Sequence, residues 1–320
     1  MTASAQVVVV GGGPAGISAA LAAASAGAGV VLFDEQDELG GELRHRVAPH
    51  HLPGEAAPLR PGEVLARLMA RLADSAVGLR PGCLVWGAFE GPLLAVATAA
   101  CGIEVAAERV VLATGSTDLA LPFPGATLPG VWTARAVQIL VNQHRLLPGR
   151  RFAVVGGGGE GSEVAGDIRL AGGEVAVVAD ARATVAAEGT GAVEAVVVNG
   201  QRHPVDVVVV AAGRQPDAGL AQMIGCPIAV DPALGGWVPV VDDLQQVDGT
   251  PWFVAGNMAG RCDIAVALAE GHVAGLAAAG SLGLADPAAV DAAAAERDSL
   301  LAGRRAARRR AGERFVQTYQ

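Results

Sequence analysis

Gly11, Gly13 and Gly16 follow the apolar run Val7-Val-Val-Val10 and precede an Ala-rich stretch, Ile17 to Ala26. A strand that turns through GxGxxG into a helix is built to cradle a dinucleotide pyrophosphate. The first glycine permits the tight turn, the second lets backbone approach the phosphates, and the third lets helix pack on strand. The helix N-terminus meets the anion with N–H groups and a positive dipole end. Val30-Val-Leu-Phe33 predicts a second strand ending in Asp34 and Glu35, and a carboxylate about 20 residues past the glycines is placed to bind ribose hydroxyls.

The pattern occurs twice. Phe152-Ala-Val-Val155 leads into Gly156, Gly158 and Gly161 at the same spacing, then a helix to about Ala171, then Glu174 to Ala179 with a terminal acid, Asp180. Two copies in order are far more specific than one. Glu160 and Glu163 stand beside this second turn, where carboxylates repel a pyrophosphate unless they point away. Gly40 and Gly41 bring backbone close to a neighbour, and Ala113-Thr-Gly-Ser116 ends a strand at the cofactor face, where ligands of parallel sheets collect. No side chain is an obvious general base, and no His, Cys, Asp or Glu spacing makes a metal site.

The elements around these turns predict an α/β fold with two Rossmann-like dinucleotide-binding domains, the second inserted in the first. At 320 residues, with 52% hydrophobic and 17% charged, the chain has material for two buried cores. Only 3% of residues are aromatic, so the cores are Val, Leu and Ala, which suits parallel sheets covered by helices. Residues 1–118 and 247–290 are expected to form the first domain, 119–246 the second, and 291–320 a basic helical tail. Short β-rich runs at Cys83–Phe89, Leu93–Ala99 and Ile103–Ala106 predict a small meander before the strand from Arg109. Barely a dozen residues separate Asp180 from Val193, too few for a full crossover helix, so the second domain reads as trimmed.

The net charge of −9 excludes nucleic acid as a natural partner. All 23 basic residues are Arg, which excludes lysine Schiff bases and a Walker lysine. Cys83, Cys101, Cys226 and Cys262 form no CxxC, so a disulfide-reductase centre is excluded and each reads as a buried small hydrophobe. His45, His50 and His51 read as solvated loop residues. No secretory signal or transmembrane-length apolar run is present in the sequence, and a reducing cytoplasm is the expected compartment.

The order Gly11-Gly-Gly-Pro-Ala-Gly16, Leu39-Gly-Gly41, Ala113-Thr-Gly-Ser116, Gly156 to Glu163, Gly213-Arg-Gln-Pro216 and Phe253-Val-Ala-Gly-Asn257 resembles the two-dinucleotide-binding-domain flavoproteins. Phe33 to Gly41, Leu128 to Ala134, Asp231 to Pro239 and Ala267 to Gly275 look like one branch. That branch is the FAD-binding subunits of heteromeric opine oxidase, hydrogen cyanide synthase, and proline, hydroxyproline or sarcosine dehydrogenases. The resemblance implies FAD held by Gly11, Gly13, Pro14, Ala15, Gly16, Asp34, Glu35, Gly40, Gly41, Glu42, Leu43, Val85, Thr114, Gly115, Gly256 and Asn257. It implies a second nucleotide site at Gly156, Gly158, Gly161, Glu163, Asp180 and Gly213, for NAD(P) or another adenine nucleotide, or else a degenerate domain that binds nothing. It also implies partners: a flavin-containing β subunit that oxidises an amine or imino acid, and a small iron–sulfur subunit. Asn257 replaces the Asp usual in the superfamily, and the cysteine-rich [2Fe–2S] segment of many members is not in this sequence. Two other readings stay open: a self-contained NAD(P)H-dependent FAD reductase of a small acceptor, and a non-catalytic scaffold subunit.

Overall fold

The structure, a computed structural model, describes residues 2–180 and 182–301. The chain runs β1 (Thr2–Val10), α1 (Pro14–Ser25), β2 (Val30–Phe33), α2 (Pro61–Ala73), β3 (Gly78–Arg80), β4 (Leu84–Phe89), β5 (Leu93–Ala97) and β6 (Gly102–Leu112). After the short strand β7 (Ser116–Asp118) come β8 (Val131–Thr133), α3 (Ala134–Gln138), β9 (Arg151–Val155), α4 (Gly158–Leu170) and β10 (Glu174–Ala179). β11 (Val185–Glu188), β12 (Ala195–Val198), β13 (Gln201–Pro204) and β14 (Val207–Val210) follow. Beyond β15 (Arg214–Pro216) lie α5 (Gly219–Met223), β16 (Ile228–Asp231), β17 (Gly236–Pro239), β18 (Trp252–Val254) and α6 (Ile264–Gly280). A last helix starts at residue 287 and continues to 301; the Arg-rich part of the expected tail lies outside the described residues.

Two compact units result. Among the described residues, the first comprises 2–43, 49–116 and 215–301, the second 44–48, 117–180 and 182–214. The insertion is as expected, but its far boundary falls at 214/215 rather than at 246/247. The reason is packing: Leu220, Ala221, Cys226 and Val247 are buried in one cluster with Val85, Leu94 and Trp252 of the first unit, so the segment after the Gly213-Arg-Gln-Pro216 motif has its apolar face there.

In the first unit the sheet order is β3-β2-β1-β6-β5-β4, with β18 also pairing β6. β1 is buried on both faces because its alternate residues enter different cores, Val7 and Val9 with α1 and α6, Val8 and Val10 with β4, β5 and Trp252. The meander is present, but Ile103–Ala106 and the strand from Arg109 are one element. β6 pairs antiparallel with β5 through its first half and parallel with β1 from Thr2↔Glu104 to Val10↔Leu112. Pairing with β1 continues through Ala107, so the polar residues Glu108 and Arg109 end nothing.

The second unit has a parallel sheet ordered β10-β9-β14-β8. The trimming takes a definite form: β11, β12 and β13 make an antiparallel meander where a crossover helix would lie, and β14 returns parallel to β9. Phe152 and Val154 face one core, Ala153 and Val155 the other. Among the described residues no helix is long and apolar enough to cross a membrane.

Candidate functional site

The first turn uses its glycines for two purposes. A β-carbon at Gly11, whose φ is +104°, would fall 2.3 Å from the Ala113 carbonyl oxygen, one at Gly12 2.4 Å from Leu39, and one at Gly16 1.8 Å from the Gly11 carbonyl oxygen. Gly11 and Gly16 let β1, α1 and the end of β6 approach, and Gly12 does the same for the segment after β2, Asp34 and Leu39. Gly13 differs, since a β-carbon there meets nothing within 4 Å. It caps α1 with extended backbone and no side-chain bond, and no acid occupies that helix's first turn. Gly115, past the neighbouring strand β6, has φ +85° and is equally open. Two unfilled glycines therefore stand at the carboxyl ends of adjacent parallel strands, next to a helix N-terminus, which is where an anionic ligand binds.

Asp34 closes one side. Its carboxylate accepts the Gly12 N–H and the Gln36 N–H at 2.7 Å. Glu35 is exposed and accepts from the Gln36 amide at 3.3 Å. Gly40 donates its N–H to the Gly12 carbonyl at 2.8 Å, and a β-carbon at Gly41 would lie 3.0 Å from the Gly13 Cα, so the second glycine pair is pressed against the first turn.

Asn257 explains itself by its neighbours. Its Nδ2 donates to the Glu42 carboxylate at 3.0 Å, while its Oδ1 accepts the Cys262 N–H at 2.9 Å. A carboxylate would satisfy the second contact and repel the first. Ser116 Oγ also reaches the Glu42 carboxylate, at 3.5 Å, and buried Glu270 accepts the Gly256 N–H at 3.0 Å. Asn257→Asp is expected to destabilise the protein by about 1–3 kcal/mol at neutral pH, the cost of a lost hydrogen bond and a part-buried like-charge pair. The deficit shrinks on acidification, because protonating either carboxyl restores a donor; thermal unfolding at two pH values checks it.

The other expected contacts divide. Pro14 and Ala15 open α1. Thr114 donates its hydroxyl to the Asp217 carbonyl at 2.9 Å. Leu43 and Val85 are core residues, 1% and 8% exposed.

At the second turn Gly156 plays the part of Gly11, its β-carbon position 2.0 Å from the Ala211 carbonyl oxygen at φ +131°. Gly158 is open, and Gly161 is in ordinary contact. The carboxylates, however, are engaged. Glu160 accepts the Gly213 N–H at 3.1 Å and pairs with Arg214 Nε at 2.9 Å. Glu163 is held bidentately by Arg46, at 3.1 Å and 2.8 Å, and Asp180 accepts the Arg182 N–H at 2.9 Å. Behind Glu163, buried Asp167 accepts from Gln138 at 3.0 Å and Asn142 at 3.2 Å; burial pushes its carboxyl above the usual carboxylate range.

Residues 5–188 match the family model described as pyridine nucleotide-disulphide oxidoreductase. The chain belongs to that family. Among curated relatives it is 29% identical to the alpha subunit of the sarcosine oxidase of Corynebacterium sp. strain P-1, over 87% of this chain and 33% of that protein. It is 32% identical to one subunit of the opine oxidase of Rhizobium meliloti, over 48% of this chain and 31% of that protein. The chain thus spans about a third of the length of these relatives. The L-proline dehydrogenase structure from P. horikoshii superposes with TM-score 0.81 and 26% identity, covering 92% of this chain and 59% of that one. The resemblance to flavin-dependent amine and imino-acid oxidase subunits, and the two-Rossmann α/β fold, are borne out.

Around these turns, sequence reasoning missed Arg46, Arg214, Gln138 and Asn142. Arg46 and Glu163 are 117 positions apart, and no local pattern announces such a pair. His45 is also corrected: it is 5% exposed, not solvated, and its carbonyl accepts from Asn142 at 2.7 Å. Cys101 is exposed and Cys83 and Cys262 half-buried, so only Cys226 is the buried hydrophobe expected of all four.

Proposed function

We propose that the first unit binds FAD and that the chain is the FAD-binding subunit of a heteromeric amine or imino-acid dehydrogenase or oxidase of the opine, proline or sarcosine type, relaying electrons from a partner. The observation that carries this reading is the division of labour in the first turn: Gly11, Gly12 and Gly16 are filled by protein, and Gly13 alone of the four opens outward, over a helix N-terminus. Such a cradle fits a pyrophosphate. Asp34 is placed for the ribose, and the Glu42–Asn257 pair with the Gly256 backbone lines the far side.

Bound flavin supplies the redox chemistry. The chain's own residues bind and orient it: α1 presents N–H groups and a positive dipole end to the phosphates, and Asn257 is held in one rotamer by Glu42 and Cys262. The amine would be oxidised in a flavin-containing β subunit, and a small iron–sulfur subunit would be a further companion. Both curated relatives named above are themselves parts of multi-subunit oxidases, which supports the partner reading.

The purified chain should absorb in the visible blue and release FAD, not FMN, on denaturation. When the β subunit is present together with its amine, that absorbance should bleach anaerobically. A colourless protein that takes up no FAD on reconstitution would overturn the reading.

A further inference from the structure

We propose that Glu160 closes the second glycine turn against a nicotinamide dinucleotide. This closure concerns the second unit alone and stands whether or not flavin occupies the first.

The second turn is not collapsed. β-carbons at Gly158 and Gly159 would meet nothing within 4 Å, as at Gly13. The difference lies beyond it. In the first unit α1 has no acid in its first turn; in the second, α4 has Glu160 there. From that position its two carboxylate oxygens reach the segment after β14, one to the Gly213 N–H at 3.1 Å and the other to Arg214 Nε at 2.9 Å. β9 and β14 are adjacent and parallel, so the side chain bridges the carboxyl ends of the two central strands. A dinucleotide starting with its ribose near Asp180, after β10, has to lie across that line to bring its second nucleotide toward β14 and β8.

The bridge is anchored. Arg214 is 7% exposed, its Nε is 3.9 Å from Asp118 Oδ1, and Asp118 pairs in turn with Arg135 at 3.2 Å. Glu160 therefore supplies, from within the chain, the negative charge that the α4 N-terminus and Arg214 would otherwise draw from a phosphate. An incoming pyrophosphate meets a fixed carboxylate and finds the Gly213 N–H already taken. Charge balance closes the site as much as shape does.

The test titrates NADH and NADPH into the purified full chain and its variants, reading the fluorescence of the reduced nicotinamide, a signal independent of enzymatic turnover. The wild-type chain is expected to show no saturable binding into the millimolar range. Glu160→Ala removes the bridge and releases Arg214 from it, and is expected to tighten binding at least about tenfold, which corresponds to about 1.4 kcal/mol. Glu160→Gln, which keeps the volume and an acceptor for Gly213, should move in the same direction by less, and it decides the matter where Glu160→Ala fails to fold. Micromolar binding by wild type would overturn the proposal, and so would folded variants that bind no better than wild type. Flavin content, read separately, belongs to the first unit and does not bear on either outcome.

Discussion

Gly13→Asp is expected to empty the first unit of flavin while leaving the protein folded. The substitution is sterically free: no atom lies within 4 Å of the new β-carbon, and the backbone there, φ −76° and ψ −176°, is open to any L-residue. Gly13 is also the N-cap of α1, where Asp is a preferred residue, so the apoprotein gains a few tenths of a kcal/mol. The same carboxylate stands where the pyrophosphate belongs. Two unit charges about 4 Å apart at an effective dielectric near 20 repel by about 4 kcal/mol, roughly a thousandfold in affinity. The measurement is the flavin-to-protein ratio beside the melting temperature of the apo form. Gly16→Ala is the control, since its β-carbon would fall 1.8 Å from a carbonyl oxygen and the fold itself should fail. Retained flavin in Gly13→Asp would show that this turn does not hold the pyrophosphate, and an unfolded variant that Gly13 is structural.

This contrast also separates a redox subunit from a scaffold. In a scaffold the glycines would be kept for packing alone, and nothing packs where a side chain at Gly13 would begin. A complex that assembles with the Gly13→Asp subunit but no longer passes electrons would place the first turn in the redox path.

Much of this was legible in the sequence, for a physical reason. A turn into a helix N-terminus needs particular backbone angles and clearances at fixed spacing, so GxGxxG, terminal acid and Ala-Thr-Gly are local signals. The strand continuing from Gly102 to Leu112 was not legible, because Glu108 and Arg109 break the apolar pattern while β1 goes on pairing beside them. The domain boundary at 214 was hidden likewise: whether α5 and the following hairpin belong to one unit or the other is decided by Leu220 and Cys226 meeting Val85 and Trp252, contacts that reach far along the chain. The carboxylates of the second turn could be seen, and their repulsion inferred, but not their partners. Glu160 finding Gly213 and Arg214, and Glu163 finding Arg46, depend on side-chain directions that only the folded chain fixes.

The pairing of α1 with α6 carries a prediction of comparable size. α1 and α6 pack with almost no side chain between them. A β-carbon at Gly271 would fall 2.0 Å from the Ala15 carbonyl oxygen, and one at Gly275 2.2 Å from that of Ala19. The two glycines and the two alanines are each four residues apart, one helical turn, so the backbones touch along a shared line, and Ser18 Oγ bonds across it to the Leu268 carbonyl at 2.7 Å. Gly271→Ala adds a methyl group where only backbone can yield. The helices must separate, and the buried residues between Ile17 and Ala279 lose contact together. Overpacking of this kind typically costs about 1–3 kcal/mol, and the upper end is expected here because neither helix can answer with a rotamer change. Gly275→Ala should cost about as much, whereas the double variant should cost less than the sum, since one displacement of α6 relieves both clashes. Urea unfolding of the three variants reads these values. Flavin retention should fall with them, because α1 carries the first turn at its N-terminus and Glu270, beside Gly271, holds the Gly256 N–H. Unchanged midpoints would mean the helices already stand far enough apart for a methyl group, and strict additivity that they yield locally at each glycine rather than as rigid rods.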